Sequence, residues 1–430
     1  MMAEERFIQF IWKHRLYDGK SLHTTCGQKL EVLFPGEQNS HGGPDFLNAR
    51  IRMDRLVWVG NIEIHRYASD WYRHRHHLDA AYNNVILHVV GEFDTDVTNS
   101  LGRRIQTMVP KYPDYLSQRF EILKRNESWL ACGPYLKSFP PVQLKQWLHD
   151  LNKVRIIQRS LRMEQVLHDT DLNLDLALYR ALTPGFGLPL NSLPFEMLVN
   201  KVPLPALTEH RDSLTDLEAL LFGQSGLLLT ARTQGSYPCT LWNRYMELKS
   251  HMADKPVPAH LWKFLRLRPP SFPTLRISQL ASLLHGRYPL NESILGSSSI
   301  AELEQIFRVK ASEYWTNHYL FGKSSVPLPK YPGQQFITTL VINVIVPFLT
   351  ALCKLKGCQS TALDVENIMQ NLKAESNQLI KNWSIFGIRP ESAMESQALL
   401  QLYHQYCKQK RCLECNIAAE IIRDANHEYK

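Results

Sequence analysis

Residues 41–90 read HGGPDFLNARIRMDRLVWVGNIEIHRYASDWYRHRHHLDAAYNNVILHVV. Pro44-Asp45 opens an apolar segment of β character, a second such segment carries Glu63 and His65, and a third has His88 in its middle. Side chains alternate faces along a strand. In VWVGNIEIH, Val57, Val59, Asn61, Glu63 and His65 share one face, and Trp58, Ile62 and Ile64 share the other. Large apolar residues on both faces predict a central strand covered on both sides. In DFLNARIRM, Asp45 has the parity of Leu47, Ala49, Ile51 and Met53, which places it on the core-facing side at the start of a strand. A carboxylate there is costly unless it is paired, hydrogen-bonded or metal-bound. Taken singly, Asp45 reads as a cap after Gly42-Gly43-Pro44, and Glu63 as the partner of an arginine. Taken together, two converging carboxylates repel one another unless a cation sits between them. An oxygen-seeking ion such as Mg²⁺ or Mn²⁺ resolves that conflict.

Outward from this stretch, KLEVLF and VILHVVGEF also read as strands, RRIQTMVP adds one more, and SDWYRHRHHLDAAYNN reads as a helix over 69–83 capped by Ser69. AEERFIQFIWKHRLY is a first helix with Phe7, Phe10, Ile11 and His14 on one face. Beyond about residue 140 the pattern is helical, punctuated by PPSFP at 269–273 and VPLPKYPG at 326–333, the latter the best candidate linker. The expected architecture is an α/β N-terminal domain, a mixed sheet flanked by helices, followed by an all-α C-terminal region. Its segments are 1–130, a helical domain 131–325 and a C-terminal helical domain 326–430 that carries a cysteine cluster.

Pro44-Asp45, a gap, then Glu63-Ile64-His65, a helix and a strand together resemble the PD-(D/E)XK, or restriction-endonuclease-like, nuclease superfamily. The resemblance covers about residues 1–110. It implies that Asp45, Glu63 and the Ile64 backbone carbonyl hold the metal, and that the reaction is phosphodiester hydrolysis. This sequence has His65 where that superfamily usually has Lys, and the charge of a histidine at pH 7 depends on its surroundings. The whole chain also resembles a bacterial family known only as a domain of unknown function. FIWKHRLY, GPDFLNARI, VGNIEIH, LEALLFGQSG, WKFLRLRPPSFPTLRI and KRCLEC carry that likeness. It implies that the architecture is a unit, and it implies no activity.

The histidine-rich segment invites a zinc reading. On one continuous helix, however, His74 and His76 point to nearly opposite sides. Tyr72, His76, Asp79 and Asn83 line up instead, so His76 with Asp79 reads as an oriented general base or a phosphate-contacting pair. Arg73 and Arg75 suit a nucleic-acid backbone, and the plain reading of the segment is a solvated face. His88 reads as a core histidine on a strand beside that of Glu63. Near the C-terminus, Cys407, Cys412 and Cys415 suggest a metal knuckle whose last thiol sits at a helix start. The fourth ligand is His404 or Cys132, with Cys353 and Cys358 as a further option. Zinc is expected ahead of an iron–sulfur cluster, which some nucleases of the resembled superfamily carry. Lys263, Arg266 and Arg268, interleaved with Trp262 and Phe264, suit nucleic acid or an ordinary solvated helix face.

The chain of 430 residues has 49 basic and 41 acidic side chains, a formal charge of +8 and 17 histidines. That balance permits a polyanionic partner without requiring one. Glu4, Glu5 and Arg6 stand where a secretory leader would begin its apolar stretch, and the eight cysteines lack the spacing of a disulfide framework. FITTLVINVIVPFLTALC, at 336–353, is broken by Asn343 and Pro347 and reads as a buried core helix. The expectation is a cytoplasmic, metal-dependent nuclease acting on DNA or RNA, with a protein partner left open. Two alternatives stand beside it: a catalytically degenerate nucleic-acid-binding or scaffold protein on the same fold, and a hydrolase of small phosphate esters.

Overall fold

The computed structural model describes residues 4–19, 22–252, 255–357 and 364–424. The chain divides into two compact units, Met1–Leu144 together with Tyr403–Lys430, and Lys145–Leu402. This differs from the three consecutive segments expected. The C-terminal stretch returns to the first unit, where the helix Asn416–Arg423 packs on the helix Asp114–Arg125. Ile417, Ile421 and Ile422 are buried there.

In the first unit, α1 (Glu5–Lys13) leads into a six-stranded mixed sheet. Its strands are β1 (Leu30–Phe34), β2 (Glu37–Gln38), β3 (Phe46–Met53), β4 (Leu56–Tyr67), β5 (Val85–Glu92) and β6 (Thr107–Met108). β1, β3 and β4 run antiparallel, β5 and β6 continue in parallel, and β2 pairs with the start of β3. The α1 side chains Phe7, Phe10 and Ile11 are buried as the helical spacing predicts. The helix lies against β4 and β5, where Gly91 leaves room: a Cβ there would sit 2.8 Å from Ile8 Cδ1.

Two expectations about the strands need correction. A bulge between Phe46 and Ala49, with Asn48 at φ 57°, shifts the phase of β3, so Asp45 does not share the parity of Ala49, Ile51 and Met53. Strand β4 is not covered along its whole length either. Leu56 to Val59 are exposed, and burial begins at Gly60.

The larger correction concerns residues 69–83. The helix α2 spans only Asp70–Arg73; Arg75 takes a left-handed φ of 62°, and two short 3₁₀ turns follow, His76–Leu78 and Ala80–Tyr82. Trp71 is fully buried and Leu78 is exposed. Side-chain and backbone anchors pin α2 locally. Asp70 Oδ2 accepts from Tyr67 N at 3.1 Å, and Trp71 Nε1 donates to Thr98 O at 2.9 Å.

The second unit is helical apart from a short hairpin, His318–Leu320 with Lys323–Ser324. Its core joins Leu178, Phe195, Phe222, Trp315 and Phe348. The segment 326–333 is not a linker between units: Lys330 is buried, and its Nζ donates to Thr316 O at 2.6 Å. The apolar helix Gln334–Lys356 is, among the described residues, the one long and apolar enough to cross a membrane. Most of its apolar window, 72%, is buried in the core, and it accommodates Pro347 through a π turn at Val341–Ile345.

Candidate metal centre

The start of β3 and the middle of β4 hold each other through their acidic side chains. Asp45 N donates to Glu63 Oε2 at 3.1 Å, and Ile64 N donates to Asp45 Oδ2 at 2.9 Å. Gln9 of α1 completes the set, its Nε2 donating to Asp45 Oδ1 at 3.0 Å. Ile64 therefore turns its amide on to Asp45. Three of the four carboxylate oxygens are engaged in this way, and Glu63 Oε1 is left facing histidines. It stands 3.2 Å from His76 Nε2 and 3.4 Å from His65 Nε2.

Burial of two carboxyls together is costly when both are ionised. Burial pushes Asp45 up to about 7, with the Glu63 charge adding to the effect. Burial pushes Glu63 up to about 8, against the pull of the Asp45 amide. Glu5, one turn before Gln9 on α1, contributes to both rises and is itself raised, mainly by burial. A divalent cation relieves this conflict, so the donor set fits one.

The histidines crowd the same point. His65 Nδ1 lies 2.8 Å from His88 Nε2, and His65 Nε2 lies 3.1 Å from His74 Nδ1. The ligand-capable nitrogens of His65, His74 and His76 all fall within 4.8 Å of one another. His76 stacks on Tyr82 with ring centroids 3.8 Å apart and meets Trp71 edge-on. Burial, with the neighbouring histidines adding to it, drives His65 down to about 2, and burial drives His88 down to about 3. His65 is consequently a neutral imidazole at pH 7.

Asp45, Glu63, His65 and His76 thus come together. Asp79 does not act on His76 through a hydrogen bond. It is exposed, and its Oδ1 accepts from Ala81 N at 2.9 Å, capping the second 3₁₀ turn. Arg73 pairs with Asp70 at 2.9 Å, and Arg75 is exposed at the turn between them and His76. Lys263, Arg266 and Arg268 are exposed and belong to the second unit. Gln9, His74 and His88 were missed as partners of the site. His74 was set aside because a continuous helix would turn it away, and the left-handed Arg75 reverses that. The signal that could have found His88 is its register, for β5 pairs it directly with Glu63.

In the same unit, Cys132 is buried just ahead of a 3₁₀ turn at Gly133–Ser138, and Cys415 caps the helix Asn416–Arg423. Burial pushes the Cys132 thiol well up, and Cys415, Cys407 and Cys412 each raise it further. Cys407 is raised too, by burial and then by Cys415 and Cys412. Cys132 is therefore in electrostatic reach of the three C-terminal thiols. His404 is exposed, its ring set against Tyr403 at 5.3 Å. Cys353 lies in the second unit, and Cys358 is outside the described residues.

A family model described as "Protein of unknown function (DUF2851)" matches residues 5–378. No curated protein and no solved structure matches the chain.

Proposed function

The chain belongs to this DUF2851 family of proteins of unknown function, and on that premise we propose from its own geometry that it is a metal-dependent nuclease hydrolysing phosphodiester bonds in DNA or RNA. The observation that carries the reading is the clasp between Asp45 and Glu63, two buried carboxyls held against each other on adjacent strands. The element order supports it as well. A first helix, antiparallel strands with Pro-Asp and Glu-X-His at the expected places, a short helix and a parallel strand form the order that the PD-(D/E)XK resemblance implies. Mg²⁺ or Mn²⁺ is the ion that resemblance implies, and a cation bound there supplies Lewis acidity to a phosphoryl oxygen. Glu63 and Asp45 would hold it, Gln9 and the Ile64 amide would fix Asp45, neutral His65 would orient the attacking water, and His76 would accept its proton. Arg73 and Arg75 offer contacts to the phosphate backbone.

Purified protein tested on single- and double-stranded DNA and RNA with Mg²⁺ or Mn²⁺ should cleave at least one polymer. Asp45→Asn and Glu63→Gln should lower the rate by about 100-fold or more. Intact polymers under all conditions, or undiminished cutting by both variants, would refute the claim. A specific observation favours the second reading, a binding or scaffold protein on the same fold: neutral His65 lacks the positive charge of the usual lysine. Retained nucleic-acid binding without cleavage would select it.

We propose further that Cys132, Cys407, Cys412 and Cys415 bind a metal in a cytoplasmic, thiol-preserving setting, zinc before an iron–sulfur cluster. Metal analysis and a visible spectrum of anaerobically purified protein decide between the two. Cys132→Ser should lower the metal content as far as Cys412→Ser does, and an unchanged content in both would exclude the site.

A further inference from the structure

We infer that the ion of this centre is an imidazole-preferring transition metal of the zinc type, ligated by Glu63, His65, His74 and His76 rather than by the two carboxylates. The inference rests on Glu63 being a metal ligand, as proposed above, and replaces the oxygen-seeking ion and the Asp45 ligand of that reading with another class of ion and other ligands. Donor atoms about 2.0–2.2 Å from a four-coordinate ion lie about 3.3–3.6 Å from one another. His65 Nε2 lies 3.1 Å from His74 Nδ1 and 3.4 Å from Glu63 Oε1, His76 Nε2 lies 3.2 Å from Glu63 Oε1, and the ligand nitrogens of the three histidines fall within 4.8 Å of one another.

The contact with His76 is not an ordinary hydrogen bond. His76 is 9% exposed, and its Nε2 has no hydrogen-bond partner although the carboxylate oxygen is at 3.2 Å. A buried nitrogen that lies within 3.2 Å of a carboxylate oxygen without bonding to it is placed as a ligand is beside its co-ligand. The outer contacts have the matching form. His88 holds His65 Nδ1, leaving Nε2 turned to the centre, and Asp45 N holds Glu63 Oε2, leaving Oε1 turned there. Asp45 becomes a positioning residue, with its own oxygens engaged by Gln9 and Ile64. Three imidazoles and one carboxylate suit zinc, iron, cobalt or nickel, whereas Mg²⁺ and Ca²⁺ seek oxygen shells. His74 alone of the four is exposed, so it is the ligand able to yield its position to a substrate atom.

Full-length protein stripped of metal and titrated with Zn²⁺ against a competing chelator tests this without any activity assay. Besides the metal of the four cysteines, the wild type should take up one further tight equivalent that His76→Ala and His74→Ala weaken by about 100-fold, that His41→Ala leaves intact, and that millimolar Mg²⁺ does not displace. Because a misfolded variant would lose zinc trivially, Co²⁺-loaded protein gives a second measure. Its visible ligand-field bands should persist in Cys412→Ser and Cys415→Ser, away from the thiols. Unchanged zinc affinity in both histidine variants, displacement by Mg²⁺, or bands that vanish with the cysteines would overturn the inference. Zinc held by these histidines in a protein that cuts no polymer leaves the metal centre standing and removes the nuclease reading. Mg²⁺-driven cutting with zinc affinity independent of His74 and His76 does the reverse.

Discussion

Glu63 is the residue through which the two halves of the centre meet, one oxygen bonded to the Asp45 amide and the other among the histidines. Its carboxyl stands at about 8 and that of Asp45 at about 7 in the metal-free fold, against about 4 in an unfolded chain. Between about pH 4 and 8 the folded state therefore binds more protons than the unfolded one, and the metal-free protein loses stability as pH rises through that window. His65 works in the opposite sense. Held down to about 2, it stays neutral while the unfolded imidazole takes up a proton below about 6.5, so it destabilises the fold as pH falls through that range. Glu63→Gln keeps the shape and an acceptor for the Asp45 amide, and it gives the histidine nitrogens a donor. We expect it to raise stability of the metal-free protein at pH 8 by on the order of 2–3 kcal/mol, with the gain fading towards pH 4. Urea denaturation at several pH values measures this; a gain independent of pH would show that the charge is not the cause. Glu63 and His65 are legible in the sequence through strand parity and Asp45 through the Pro-Asp…Glu-X-His spacing, both local patterns, although parity alone misplaces Asp45 across the bulge. Gln9 and His88 are not, because what joins them to the site is contact between elements far apart in the chain.

Among the elements, the interrupted segment 70–82 decides what the histidines can do. An uninterrupted helix would separate His74 from His76, whereas a left-handed residue between them lets both rings meet His65. Asn, Asp and Gly are the usual occupants of that conformation, so an arginine gives no sequence signal of a break, and the polar periodicity of Tyr72, His76, Asp79 and Asn83 reads as a helix face. Asn48, by contrast, is a residue suited to its left-handed bulge, a signal too common along the chain to place one, while the strand extents themselves are readable within a residue or two. The left-handed Arg75 makes an expectation with two signs. Arg75→Gly should raise stability by about 0.5–1 kcal/mol and keep the tight zinc equivalent. Arg75→Val places a β-branched residue at φ 62° and should cost about 1–2 kcal/mol while loosening the metal. Thermal melts with zinc titrations read both. Equal effects from the two substitutions would mean that the backbone at 75 does not set the histidines.

At the scale of the whole molecule, the chain leaves its first unit near Leu144 and re-enters it at Tyr403. Nothing local marks that return. The helical periodicity after residue 140 runs on without a change of composition, which is why the C-terminal stretch read as a continuation of the helical region. The one hint was chemical, Cys132 as a distant partner for the cysteines near the C-terminus. The return has a packing reason, since the buried face of Asn416–Arg423 closes over α3, Asp114–Arg125. Tyr115 and Arg119 of α3 reach its last carbonyls, at 3.5 Å each to Arg423 O and Ile421 O. Each fully buried isoleucine on that helix contributes about 1.5–3 kcal/mol, and marginal domains have about 5–15 kcal/mol to lose. The first unit should accordingly fail to fold as a fragment ending at residue 144 and recover when residues 403–430 are supplied on a co-expressed chain. The fragment 145–402, with its own large core, should melt cooperatively by itself. Circular dichroism and limited proteolysis of the three samples distinguish the cases. A stable fragment 1–144 without its C-terminal complement would show that the returning helix decorates the first unit instead of completing its core.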